Sequence, residues 1–103
     1  MIARVWSAET TPALAPGYTE HLRAQVLPAL REVAGYRGAM LLERATPGGV
    51  EIQVITFWRS ADSLRAFAGA DPEEAVVAAE AVVLLTRFDR RVRHYEVAVE
   101  DNT

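Results

Sequence analysis

An α+β fold is what this sequence predicts, and three observations carry it. Side chains alternate across residues 52–58, so that Ile52, Val54 and Trp58 lie on one side of a strand while Ile55 and Phe57 lie on the other; this strand is apolar on both faces. Tyr18, Leu22, Val26, Leu30 and Val33 recur at spacings of four and three, the stripe of an amphipathic helix. Thr46-Pro47-Gly48-Gly49 interrupts apolar sequence in the manner of a hairpin turn.

Taken in order, residues 2–8 alternate Ile2, Arg4 and Trp6 against Ala3 and Val5 and read as a first strand. Thr10, Thr11, Pro12, Pro16 and Gly17 form a connection rich in breakers before the long helix, which Pro28 should kink or shorten and which Gly35 and Gly38 close. Residues 39–45 are a second strand and residues 50–58 a third. Ser60 is placed to cap a short helix carrying Leu64 and Phe67, with Gly69 at its end. Asp71-Pro72-Glu73-Glu74 then reads as a second helix start, with a capping carboxylate, a proline at the first helical position and a carboxylate at the third. That helix is expected to run to about Thr86, with Val76, Ala79 and Val83 facing apolar surroundings and Glu80 facing outward. Residues 92–99 form the last strand.

Strand, helix, strand, strand, helix, strand with right-handed crossovers folds as a ferredoxin-like antiparallel sheet with helices on one face. One domain spanning residues 1–103 accommodates it. The other sheet face is left bare, and an apolar patch of that extent calls for a cover; association of two copies through their sheets, closing a barrel-like dimer, is the natural one.

Composition excludes several classes of function. Acidic side chains outnumber basic ones 14 to 11, for a formal charge of -3, which suits neither nucleic acid nor an anionic membrane as main partner. Arg87, Arg90, Arg91 and Arg93 are the local exception, read either as an acid-balanced surface or as a contact for an anion or a neighbouring subunit. No leader of signal-peptide type and no apolar run of about 18 residues is present, so a cytoplasmic protein is expected. Without cysteine there are no disulfides, thiolate nucleophiles or sulfur-ligated metals, and without lysine there is neither an internal Schiff base nor a phosphate-loop lysine.

The opening MIARVW, the central FWRSADSLRAFAGADPEEA and the closing VRHYEV, in this order and spacing, resemble the antibiotic-biosynthesis-monooxygenase-like proteins of the dimeric α+β barrel superfamily. The resemblance implies a homodimer with a pocket between sheet and helices in each subunit. Members include oxygenases that use no metal or flavin on polyketide or quinol-type substrates, haem-degrading enzymes, and proteins of no known activity. The haem-degrading branch uses an asparagine late in the first strand, a tryptophan after the third and a histidine ten residues on; aligned on Trp58-Arg59-Ser60, those positions hold Ser7, Phe67 and Val77. Haem degradation is therefore disfavoured. Relatives also carry tyrosine-proline-glutamate-aspartate where this chain has Ala78-Ala79-Glu80-Ala81, so small side chains should bring this segment close to the sheet and narrow the pocket.

The residues weighed for chemistry are few. His94, beside Tyr95 and Glu96, is either a base near the pocket or a packed strand histidine. His21 precedes the apolar stripe by one position and is expected to face solvent. Trp6, Trp58 and Phe67 could hold an aromatic substrate or simply pack. Arg4 shares strand parity with Ile2 and Trp6 and could pair with Glu96 across the sheet or serve a ligand. No metal motif can be assembled, and Ser7, Ser60 and Ser63 lack the setting of a nucleophile.

These readings leave two functions open. One is a monooxygenase without metal or organic cofactor, using His94, Arg4 and Glu96 on a small aromatic or quinol-type substrate held by Trp6, Trp58 and Phe67. The other is a non-catalytic module binding a small apolar ligand, favoured by the scarcity of polar residues across 75–85.

Overall fold

The computed structural model describes residues 1–102. Its sheet is wholly antiparallel. β1 (Ile2–Thr10) lies in the middle, with β3 (Gly49–Trp58) along one side and β2 (Tyr36–Thr46) outside β3. The other side of β1 is shared by β4 (Arg87–Phe88) and β5 (Arg93–Glu96). The expected last strand, 92–99, is thus shorter and is preceded by a separate two-residue strand. Residues 90–92 leave the ladder because their backbone serves another partner: Ala75 N–H donates to Arg90 at 2.9 Å and Val92 N–H to Glu73 at 2.8 Å.

Parity settles the two faces. Arg4, Ala8 and Thr10 of β1 and Ile52, Val54, Thr56 and Trp58 of β3 are buried under the helices. Ala3, Val5, Ile55 and Phe57 lie on the opposite face, with Met40, Leu42 and Tyr95 exposed beside them. That face is apolar around Ile55 and Phe57, turns polar toward Ser7, Gln53 and the Arg44–Glu51 pair, and has no layer of its own over it.

The long helix follows β1 as α1 (Ala15–His21), a π-helical turn (Leu22–Val26) and α2 (Leu27–Arg31) in one rod. Leu27 N–H donates to Leu22 O, five residues back, one residue before Pro28, which has no N–H and whose ring crowds the preceding turn. A proline expected to kink the helix is accommodated by widening the turn ahead of it. After the rod, Gly35 sits at φ +89°, and a Cβ there would come within 2.2 Å of the Ser63 hydroxyl, so glycine alone fits where helix, β2 and the next helix meet.

α3 (Ala61–Ala68) forms as its caps predict: Ser60 Oγ accepts from Ser63 N–H at 3.2 Å, and Gly69 ends the helix at φ +83°. The second helix does not begin at Asp71. Asp71 accepts from Glu73 N–H at 3.1 Å through its side chain and from Glu74 N–H at 3.1 Å through its carbonyl, closing a turn and no more. Arg91 then binds Asp71 at 2.6 Å and Glu73 at 3.2 Å, and Glu74 bridges to Arg91 in extended conformation. The capping signal is spent on a turn held by tertiary contacts, and only α4 (Ala79–Val82) is helical. Val76 and Val83, expected inside, are 56% and 75% exposed, while Ala81 packs into the core; Glu80 does face outward.

The core has two parts. Ala8, Tyr18, Leu22, Ile52, Val54 and Ala81 form one, and Leu30, Trp58 and Leu64 the other. A cavity lies where they meet. Among the described residues, no helix is long and apolar enough to cross a membrane.

Candidate functional site

Four strand residues make the cavity floor. Arg4 is opposite Thr56 and Trp6 opposite Val54 in the β1–β3 register, all turned toward the helices. Tyr18, His21, Leu22, Val26 and Leu30 of the helical rod form one wall, Phe67 of α3 another, and the segment from Val76 to Ala81 a third. The chamber is small, about 80 Å³. Above it, a groove of about 810 Å³ runs between the rod, α3 and residues 76–80.

Arg4 is the chemical centre of the floor. It is 5% exposed, and its guanidinium donates through Nη1 to the Pro72 carbonyl and through Nη2 to the Glu74 carbonyl at 2.8 Å. Nη1 also meets His94 Nε2 at 2.9 Å, and the guanidinium carbon stands 5.6 Å from the centre of the Phe67 ring. No carboxylate neutralises Arg4 among the described residues. Burial lowers its pKa, yet from so high a starting value that it stays a cation at neutral pH. A buried cation whose partners are dipoles carries a desolvation cost of several kcal/mol that a bound anion would offset. These contacts leave its Nε–H and one Nη2–H uncommitted.

Tyr18 is buried against Trp6, with ring centres 6.2 Å apart, and its hydroxyl finds no hydrogen-bond partner among the described residues. Burial pushes its pKa up to about 12, so it is a donor and not an anion. Trp6 is fixed by its indole N–H, which donates to the Asp89 carbonyl at 2.8 Å, leaving the ring face for the cavity.

The sequence-predicted residues therefore divide. Arg4, Trp6 and Phe67 line the chamber together. Trp58 does not: it is 0% exposed, stacks on Phe67 at 5.4 Å and donates from Nε1 to Thr56 Oγ1 at 2.9 Å, so it holds two cavity residues in place from below. His94 stands behind Arg4 and is absent from the lining. Glu96 does not pair with Arg4. The β1–β5 register sets Arg4 opposite His94 and Glu96 opposite Ile2, and the exposed Glu96 carboxylate lies 3.6 Å from the Met1 amino group.

His21, expected in solvent, is half-buried and lines both chamber and groove, its ring 6.1 Å from that of Tyr18. Nothing in the sequence marks Tyr18 or Thr56 as a site residue, because an amphipathic stripe and an inward strand position look the same for packing as for binding. Of the positions weighed for haem, Ser7 points to the open face, where its Oγ accepts from Gln53 at 3.4 Å, while Phe67 and Val77 line the chamber without a metal-ligating atom. Half of the basic cluster is acid-balanced: Arg87 binds Glu9 at 3.2 Å and Asp89 at 2.9 Å, and Arg91 is engaged as described, while Arg90 lies over the Phe88 ring.

No protein-family model and no curated protein sequence matches the chain. Solved structures match it over nearly its whole length. A candidate antibiotic biosynthesis monooxygenase of Deinococcus radiodurans is 16% identical, with TM-score 0.68 over 100% of this chain and 98% of that one. The haem-degrading protein MhuD of Mycobacterium tuberculosis, solved with two haems in its active site, is 23% identical, with TM-score 0.63 over 99% and 100%. The ActVA-Orf6 monooxygenase of Streptomyces coelicolor, solved with nanaomycin D, is 22% identical, with TM-score 0.60 over 98% and 92%. At these identities the likeness is one of architecture: the chain has the α+β fold of the antibiotic-biosynthesis-monooxygenase-like proteins.

Proposed function

We propose that this protein is a monooxygenase of the cofactor-independent kind, acting on a small aromatic or quinol-type substrate bound over Arg4. The observation that carries this reading is a buried cation without a carboxylate partner, which shares a mostly apolar and aromatic chamber with the Tyr18 phenol, the Thr56 hydroxyl and the His21 imidazole. Such a site favours a ring whose oxygen is losing its proton: Arg4 and Tyr18 stabilise the oxyanion, Trp6 and Phe67 take the ring, and closure against water strengthens both effects. His94 acts through Arg4 as a positioning residue, Trp58 through Phe67 and Thr56, and Glu96 stands off the chamber at the strand edge.

A carbanion formed beside such an oxyanion can itself reduce dioxygen. In an anthrone, the ring methylene loses both hydrogens, one oxygen atom becomes the new carbonyl, and the other leaves with those hydrogens as water; the substrate supplies all the electrons. The protein binds, orients and excludes water. A non-catalytic module drew its support from the lack of polar residues across 75–85, but the polar groups of this chamber come from β1, β3 and the rod instead.

Oxygen uptake with a panel of hydroquinones and anthrones tests the reading. Uptake that falls at least tenfold in both Arg4→Met and Arg4→Ala supports it. A wild-type rate no faster than that of these variants overturns it.

The same reading includes a homodimer in the cytoplasm. A second copy is the cover that fits the open face, where Phe57, Ile55 and Val5 run with exposed Met40, Leu42 and Tyr95, a patch that a self-complementary two-fold interface would bury.

A further inference from the structure

The chamber over Arg4 and the groove above it share His21, Val26, Leu30, Phe67, Val76 and Ala78. These residues form the mouth between the two spaces, and His21 alone among them carries a group that can accept a proton. The alternatives are placed elsewhere or committed. His94, the other histidine of the chain, gives its Nε2 to Arg4 and does not reach the lining. Tyr18 is a weak acid that stays protonated, and no carboxylate lines the chamber; Glu80 borders only the groove.

Backbone geometry explains why His21 is there. At 3.6 residues per turn, positions five apart diverge by about 140° around a helix. The π turn beginning at Leu22 closes hydrogen bonds over five residues and so swings His21 toward the side that carries Val26. The imidazole then lies against the ring of Tyr18, which also lines the chamber.

We infer that His21 is the general base of this site, and that its substrates are phenols or quinols of more than one ring, seated with one hydroxyl-bearing edge in the chamber and the remainder in the groove. This rests on the oxygenase reading above. The ring O–H bond breaks, the proton passes to the imidazole, and the electron pair stays on the oxygen facing Arg4 and the Tyr18 hydroxyl. Size sets the posture. An apolar cavity of about 150 Å³ encloses a benzene, so a chamber of about 80 Å³ admits only an edge, while the groove of about 810 Å³ accommodates further rings.

Two measurements test the inference. In the first, kcat/KM for oxygen uptake is compared between naphthohydroquinones that are protonated at the assay pH and nitro-substituted ones already ionised. His21→Gln should lose about 100-fold on the protonated compounds, the scale of general-base catalysis, and less than twofold on the ionised ones. Imidazole added to His21→Ala should restore rate on the protonated series only. Equal losses on both series overturn the assignment. The second measurement is made under argon. Binding of 1,4-naphthohydroquinone should convert the His21 ring signals in the NMR spectrum to those of imidazolium as the absorbance of the bound anion grows. Ionisation that is unchanged in His21→Gln overturns the role of His21, and failure of the probe to bind overturns the substrate class. Proton transfer under argon without oxygen uptake from any compound would sustain His21 and sink the oxygenase reading instead.

Discussion

Arg4 Nη1 and His94 Nε2 stand 2.9 Å apart, directly across the β1–β5 ladder, and this contact dictates the state of the imidazole. A guanidinium has only donors, so Nε2 must accept, which makes His94 neutral with its proton on Nδ1. Burial first and the charge of Arg4 second hold its pKa below the ordinary value of 6.5, with Glu73 acting weakly in the opposite sense. A lowered folded pKa means that the unfolded chain binds the proton first as pH falls. The stability His94 contributes is therefore complete above about pH 6.5 and is lost as pH drops through its lower folded value. Urea unfolding at pH 7.5 and pH 5 should show this loss, and His94→Gln, which retains an acceptor but does not titrate, should show a smaller one. Equal losses would contradict the neutral assignment.

Trp58 lies beneath Phe67 and Thr56 and does not line the chamber. Its truncation to alanine removes a 0% exposed indole from beneath Phe67 and should cost about 3–5 kcal/mol. Trp58→Phe keeps most of the packing but strips Thr56 of its 2.9 Å donor, a change on the order of 1 kcal/mol. Denaturant midpoints separate the two. On the oxygenase reading, KM in the phenylalanine variant should move more than kcat, because Phe67, which would seat the substrate, loses its backing before any reacting group is touched.

The elements that were legible in the sequence are those whose signals are local and agree with their surroundings. Ser60 and Gly69 bound α3, and the two-sided apolar pattern of β3 correctly announces a bare sheet face. Asp71-Pro72-Glu73-Glu74 shows the limit. Its cap forms, but β-branched Val76 and Val77 follow it, and Arg91, twenty residues away, recruits Asp71 and Glu73 into a turn. The pairing of Arg4 failed by two positions. Glu96 and His94 share a strand face, and hydrogen-bond register, to which parity is blind, chose between them. His21 was hidden by the assumption of an even 3.6-residue period. The signal that could have exposed it is Pro28, since a proline inside an apolar helical stripe implies a local change of phase upstream.

Phe57 now has a definite face, which sharpens what its substitution should do. It lies opposite Ala3 on β1, on the open side of the sheet, away from both core clusters. Phe57→Glu should leave the monomer folded, with unchanged far-ultraviolet circular dichroism, while lowering the sedimenting mass from that of a dimer to that of an 11.3 kDa chain. A wild-type protein that sediments only as a monomer would remove the dimer. A Phe57→Glu variant that unfolds at micromolar concentration would show that assembly and folding of the chain are one equilibrium.

Haemin should not bind at one per chain through an axial nitrogen. The chamber of about 80 Å³ is far smaller than a porphyrin, so a macrocycle would have to lie in the groove. Val77 offers no ligating atom, and Phe67 is pinned between Trp58 and the Arg4 guanidinium, so it cannot turn aside to deepen the site. Ser7 points to the other face of the sheet. The nitrogen donor that does reach the groove is His21, already resting on the Tyr18 ring. Titration followed at the Soret band should give the unsaturable rise of non-specific association. A band shift saturating at one equivalent and lost in His21→Ala would overturn this prediction, and would make His21 an axial ligand in place of a base.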